Sequence, residues 1–128
     1  VADLLQKASA WLEDQRTKFL TQSVVYQRGT DTVQVPATIG QTVFQIDDGA
    51  GALLRIESRD YLIRAVDLVL GDNAILPKRG DRIRETSGTQ VIVYEVVGPG
   101  DEPCWRWSDA YRQTLRIHTK QVDTETSP

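Results

Sequence analysis

The sequence predicts a mainly β fold: a small barrel or sandwich of about seven to eight short antiparallel strands, led by one N-terminal α-helix and carrying an extended hairpin or loop insertion. Three observations predict it. Helical spacing of apolar residues is confined to the stretch before Thr21, and β-branched runs with two-residue alternation take over after it. Clusters of Gly, Pro, Asp and Ser then punctuate the chain at strand-length intervals.

The helix is expected over residues 2–20. Leu5, Ala8, Leu12 and Phe19 form an apolar stripe that Leu4 and Trp11 widen, Asp3 suits the dipole of the first turn, and no Pro or Gly interrupts the run. Trp11 and Phe19 are the side chains expected to pack this helix onto the barrel or a neighbour. The barrel is expected over residues 23–122. Ser23-Val24-Val25-Tyr26 opens it and Gly29 turns it. Strands are expected around Thr32–Val35, Thr42–Ile46, Ala52–Glu57 and Tyr61–Val66, separated by Pro36, Gly40, the cluster Asp47 to Gly51, and Ser58-Arg59-Asp60. Pro77-Lys78-Arg79-Gly80-Asp81 reads as a turn, Arg82–Glu85 as a short strand, Thr86-Ser87-Gly88 as a second turn and Thr89–Val97 as a long strand, the pattern of a meander. Gly98 to Pro103 breaks the sheet, and Cys104–Trp107 and Thr114–Val122 complete it. In the last strand Leu115, Ile117 and Thr119 alternate with Arg116, His118 and Lys120, which assigns the first set to the core and the second to solvent. Residues 1–122 form one domain on this reading, and the polar residues 123–128 a flexible tail.

A chain of 128 residues supports one domain with a true core. Its net charge of -3, from 18 acidic and 15 basic side chains, produces no bulk attraction to nucleic acid or an anionic membrane. The basic residues are nonetheless uneven, with most of them between Arg55 and Lys120, so a local basic face is allowed. The single cysteine, Cys104, excludes an intrachain disulfide. No apolar run approaches the length that spans a bilayer, and no export signal is expected.

The chemistry-bearing residue types do not assemble into a motif. His118 is the only histidine, which with one distant cysteine leaves a zinc site short of ligands. Ser108-Asp109 lacks the base and oxyanion donors that a nucleophilic serine needs, so it reads as a turn or cap. Asp47-Asp48 in its glycine-rich setting reads as an exposed loop before it reads as a cation site. The glycines form neither a phosphate loop nor a dinucleotide turn, and the triplet Arg79-Gly80-Asp81 reads as a turn rather than an adhesion signal. Trp105 and Trp107 share one face around Arg106. With Tyr111 and Arg112 they form the one cluster that suggests a stacking platform for nucleic acid, although core packing is the simpler role for the two indoles. No enzyme, cofactor, metal or small-molecule substrate is expected.

The order of these elements resembles the small head-tail joining proteins of long-tailed bacteriophages, the head-completion, head-closure or stopper proteins. The resemblance rests on the amphipathic N-terminal stretch Leu4 to Leu20, the extended β insertion, the Pro77-x-x-Gly80-Asp81-x-Ile83 turn followed by Gly88, and Tyr94-Glu95-Val96-Val97-Gly98-Pro99. It implies a structural protein of the virion neck, assembled in the host cytoplasm. The implied assembly is a homo-oligomeric ring, expected to be a hexamer, that closes the portal and adaptor channel after DNA packaging. The same ring would present a docking surface to tail terminator or tail-tube proteins, and non-specific contact with packaged DNA is compatible with it. Asp47, Asp48, Gly49, Gly51 and Arg55 are then the candidate interface or lumen loop. Two other readings stand beside it: a tail terminator or adaptor ring, and a free-standing small-barrel module binding nucleic acid or peptide.

Overall fold

In a computed structural model of the protein, which describes residues 21–126, nine strands follow one another: β1 (Thr21–Arg28), β2 (Asp31–Asp47), β3 (Leu53–Arg64), β4 (Val69–Leu70), β5 (Asn73–Ala74), β6 (Arg82–Ser87), β7 (Gln90–Val96), β8 (Trp105–Trp107) and β9 (Thr114–Thr126), with a single 3-10 turn at Ala65–Asp67. The expected helix over residues 2–20, with Trp11 and Phe19, lies outside the described residues.

Seven strands form one sheet in the order β3-β2-β1-β6-β7-β9-β8, and β3 also pairs with β9, so the hydrogen-bonded circuit β1-β2-β3-β9-β7-β6 closes on itself. All pairs are antiparallel. Closure leaves one inward face. Val24 and Tyr26 of β1, Val35 and Ala37 of β2, Tyr61 and Ile63 of β3, Ile83 of β6, Tyr94 and Val96 of β7, and Leu115 and Ile117 of β9 meet there as one buried cluster. The two-residue period read from the sequence is the physical reason: alternate side chains of each strand face inward, and most of them are apolar.

The tight turns are set by glycine at the positions a hairpin demands. Gly29-Thr30 and Gly88-Thr89 each join two strands by two residues, with Gly at positive φ (63° and 61°) in the first place, the signature of a type II′ turn. At Lys78-Arg79-Gly80-Asp81, Gly80 takes φ 93° in the third place, and the Asp81 amide donates to the Lys78 carbonyl at 3.0 Å, a type II turn.

Four expectations are corrected. The strands expected on either side of Pro36 and Gly40 are one strand, β2, and those on either side of Ser58-Arg59-Asp60 are one strand, β3. Counting outward from the Gly29-Thr30 turn, Pro36 falls opposite Ser23 at a non-hydrogen-bonded place, and its other side carries no strand because β3 joins β2 only from Thr38. Its missing N–H therefore costs no ladder bond. Gly40 is closely packed in the strand: a methyl there would lie 3.1 Å from Leu62 Cδ1 and 3.4 Å from Arg116 Nη1. His118 lies on the outward face as its parity requires, yet it is 3% exposed, because β2, β3 and the Phe44 ring cover it. Residues 123–126 do not form a tail. They extend β9 against the start of β7, from Val93↔Asp123 to Gln90↔Thr126, where backbone pairing needs no apolar pattern.

Candidate functional site

The outer halves of β2 and β3 leave the circuit together as a two-stranded arm. From Gly40↔Asp60 to Asp47↔Leu53 the two strands pair with each other, and beyond Arg59 β3 has lost its other neighbour, β9. Directly paired residues share a face, so Phe44 with Ile56 and Ile46 with Leu54 make one side of the arm apolar. Val43 with Glu57, Gln45 with Arg55 and Asp47 with Leu53 make up the other side.

The sequence-predicted residues Asp47, Asp48, Gly49 and Gly51 gather at the tip of this arm. Gly49 and Gly51 take φ 84° and 88°, a conformation that costs glycine nothing. Asp47 Oδ1 accepts the Gly49 amide at 2.9 Å, and Asp48 Oδ1 accepts the amides of Ala50 at 2.7 Å and Ala52 at 3.1 Å. Both carboxylates are thus engaged in shaping the loop. Arg55 stands on the β3 side of the arm, opposite Gln45, and pairs with Glu57 at 3.2 Å in full view of solvent.

The root of the arm is a buried polar cluster that sequence reading did not bring together. Asp60 is wholly buried and accepts four hydrogen bonds: on Oδ1 from Ser58 Oγ at 2.5 Å and His118 Nδ1 at 2.9 Å, on Oδ2 from Arg116 Nη1 at 2.7 Å and from the Thr42 hydroxyl. Burial by itself would raise the Asp60 pKa, but the bonds from His118, Ser58, Thr42 and Arg116 outweigh it and hold the carboxyl at about 2. Phe44 of the arm sits edge-on to His118, with ring centroids 5.1 Å apart. Arm, β3 and β9 are therefore joined through one carboxylate. The only local signal was an acid two residues from a serine in a segment read as a turn, with both partners on β9 some sixty positions away.

Two further buried carboxylates lie on the inward face on either side of Ile83. Asp81 accepts from Arg28 at 2.7 and 2.9 Å, from the Lys78 amide at 3.0 Å and from the Tyr26 hydroxyl. Glu85 accepts from Arg59 at 2.8 and 2.9 Å and from Tyr61 at 2.8 Å. Burial, and then the neighbouring carboxylate, pushes the Tyr26 hydroxyl well above the ordinary tyrosine range; burial raises that of Tyr61 in the same way. Arg79 completes the turn by donating to the carbonyls of Gly98 at 3.1 Å and Glu102 at 2.6 Å, which fixes the Gly98–Pro103 loop beneath the arm. There Gly100 approaches Ile46 so closely that a methyl would lie 3.0 Å from Ile46 Cδ1. The Arg79-Gly80-Asp81 triplet is thus a structural turn: a staple, a left-handed glycine and a buried anion.

These clusters are built for rigidity rather than for reaction. Ser58, His118 and Asp60 match a hydrolytic trio in residue type only. Ser58 Oγ approaches His118 at Nδ1, the same nitrogen that bonds Asp60, and both groups converge on one carboxylate oxygen. A base that activates a serine presents its other nitrogen. Asp109 Oδ1 caps the 108–113 turn by accepting the amides of Gln113 and Thr114, both at 2.9 Å. Trp105 and Trp107 meet edge to face at 5.2 Å and, partly buried, pack against the core cluster. Cys104 is buried, and burial raises its thiol pKa, the opposite of an activated nucleophile.

No curated protein and no solved structure matches this chain. The model of a protein family does, over residues 2–126, so the match takes in the whole β circuit, the arm and its root. That family is a structural one: the chain belongs to the phage head-tail joining protein family.

Proposed function

We propose that this protein forms a ring in the phage neck that closes the portal and adaptor channel once DNA is packaged and then offers the docking surface for the tail. The observation that carries the reading is the arm. It projects from a closed β circuit, its root is pinned by a buried four-partner carboxylate, and its tip is a short loop that shapes itself through Asp47 and Asp48. A rigid lever with a small self-supported tip suits an element that reaches into a channel or across to another ring. Mixed surface charge suits stacked rings, where complementary patches set register. Asp47, Asp48, Gly49 and Gly51 of the tip, with Arg55 on the side of the arm, would make the contact.

The test is reconstitution. Purified portal–adaptor complexes should recruit the protein as a ring visible by electron microscopy. A variant in which a two-residue turn replaces Asp48 to Ala52 should still be recruited but fail to retain DNA in filled heads. If the complexes recruit no protein, the closure role is wrong; if the shortened arm retains DNA as well as the full one, the arm is not the closing element.

A further inference from the structure

The end of the circuit away from the arm carries an exposed patch with no part in the arm or its root. β3 runs from Leu53 at the arm tip to Arg64, which pairs with Thr114, the first residue of β9. The 3-10 turn that follows β3 is bonded to the 108–113 turn that precedes β9, the Ala65 amide donating to the Gln113 carbonyl at 2.9 Å. Two connections are thereby held side by side. Both present exposed side chains, Arg64 and Val66 on one, Tyr111 and Arg112 on the other. Val66, at 72%, is the most exposed large apolar side chain among the described residues, and Tyr111 is 39% exposed.

Arg112 carries the argument. Its φ of 56° is left-handed, a conformation suited to glycine or asparagine and strained for other side chains. Among the described residues its guanidinium makes no hydrogen bond and no ion pair, so no side-chain contact within the subunit offsets the strain. The turn itself is shaped by backbone bonds and by Asp109 Oδ1. Arg64 is likewise without a hydrogen bond or ion pair among the described residues. A strained, solvent-facing arginine beside a tyrosine and an exposed valine has the composition of a protein contact, where Tyr and Arg dominate the residues whose truncation costs most. The charge states what the partner brings. Two unpaired guanidinium groups beside apolar side chains are complemented by carboxylates around an apolar side chain. A nucleic-acid backbone fits less well, because phosphate binding works through rows of cations. Here there are two, with Asp67 and Asp109 close by in sequence, in a chain of net charge -3.

We propose that Arg64, Val66, Tyr111 and Arg112 form a docking surface for an acidic segment with an apolar centre, presented by a neighbouring neck protein. The surface lies at the opposite end of β3 from the arm tip and is separate from the contact made by the arm. The inference rests on the neck reading above and adds to it a second surface and the chemistry of its partner.

The test uses the full-length protein in two assays: recruitment to portal–adaptor complexes and, on heads loaded with the protein to saturation, capture of tails. Arg64→Glu, Tyr111→Ala and Arg112→Glu should each weaken the same one of these steps about tenfold or more and leave the other unchanged, as expected of residues central to a contact. Arg112→Gly is the decisive variant. It relieves the left-handed strain, so its urea midpoint should equal or exceed that of the original chain while the same docking step weakens about tenfold. A merely structural Arg112 would leave docking intact in that variant. Unchanged docking in both assays, or loss of both at an unchanged urea midpoint, would overturn the surface. Binding of short duplex DNA that the arginine variants abolish, while protein docking persists, would overturn it as well. If the original protein is recruited and captures tails and the variants match it, this inference fails and the neck role stands; if the original protein does neither, both fall.

Discussion

Replacing Asp60 tests the root of the arm most directly. In Asp60→Ala, four donors that now converge on the carboxylate lose their acceptor: the Ser58 and Thr42 hydroxyls, His118 Nδ1 and Arg116 Nη1. Arg116 keeps partial access to water, with its side chain 21% exposed, but Ser58 and His118 are 3% exposed and do not. Breaking a buried ion pair by removing one partner costs about 3–5 kcal/mol. Asp60→Asn keeps the volume and one acceptor oxygen, which can remain toward Arg116 and Thr42 while its amide faces Ser58, so its cost should be about 1.5–3 kcal/mol. The pH dependence provides a second readout. A folded-state carboxyl pKa below its unfolded value contributes stability that is present above the unfolded value and lost as pH falls through the folded one. For Asp60 the window runs from 3.8 down to about 2, and at ~1.4 kcal/mol per pH unit the contribution is about 2–3 kcal/mol. Urea unfolding at pH 7 and across pH 4 to 2 measures both, and the Asp60→Asn curve should be flatter over the acid range by that amount. A loss below about 1 kcal/mol for Asp60→Ala, with the m-value unchanged, would refute the idea that this carboxylate anchors the arm.

The other predictions concern single contacts. Arg59→Ala leaves Glu85 buried with only the Tyr61 hydroxyl, and should cost about 3 kcal/mol in urea unfolding, whereas Arg55→Ala removes an exposed pair and should stay within about 0.5 kcal/mol. Gly98→Ala forces a methyl against the Glu102 carbonyl and the Arg79 guanidinium, and should lower stability by about 1–3 kcal/mol, read as a reduced melting temperature. Gly29→Ala, at φ 63°, has room for the methyl but not the backbone conformation, so about 1 kcal/mol should be lost with no change in the core, as near-ultraviolet circular dichroism would report.

How much of this was legible in the sequence depended on how local the determinant was. The turns at Gly29, Gly80 and Gly88 are short-range, since a glycine between two alternating runs needs only its own neighbours to fix a hairpin, and they were read correctly. The inward row Leu115-Ile117-Thr119 followed from the two-residue period alone. Pro36 and Ser58-Arg59-Asp60 were read as breaks because a proline or a polar triplet usually is one. Whether Pro36 interrupts a ladder depends on which side of β2 carries a partner, and Asp60 is tolerated in a strand because its acceptors are matched by residues on β2 and β9. His118 shows the same limit: parity gave its face, but the covering of that face by Phe44 is a tertiary event. The arm tip was legible as a loop of Asp and Gly, and its root was not. A buried salt bridge between distant strands leaves no periodic trace.

The closing pair of the circuit also has a consequence in time. β3 is bonded to β9 through contacts such as Arg59↔Thr119 and Arg64↔Thr114, whereas β1 and β2, or β6 and β7, meet across two-residue turns. Pairings between near neighbours form early and those across long loops late, because closing a long loop costs entropy before any contact repays it. While the chain is being made, the β2–β3 hairpin emerges with Asp60 unaccompanied by His118 and Arg116, and only the arrival of β9 supplies them. The arm therefore becomes a stiff lever as the final step of folding, so a copy truncated or stalled before Thr114 would carry an apolar, unanchored hairpin. Such a copy should be a substrate for proteolysis before it can reach an assembling particle.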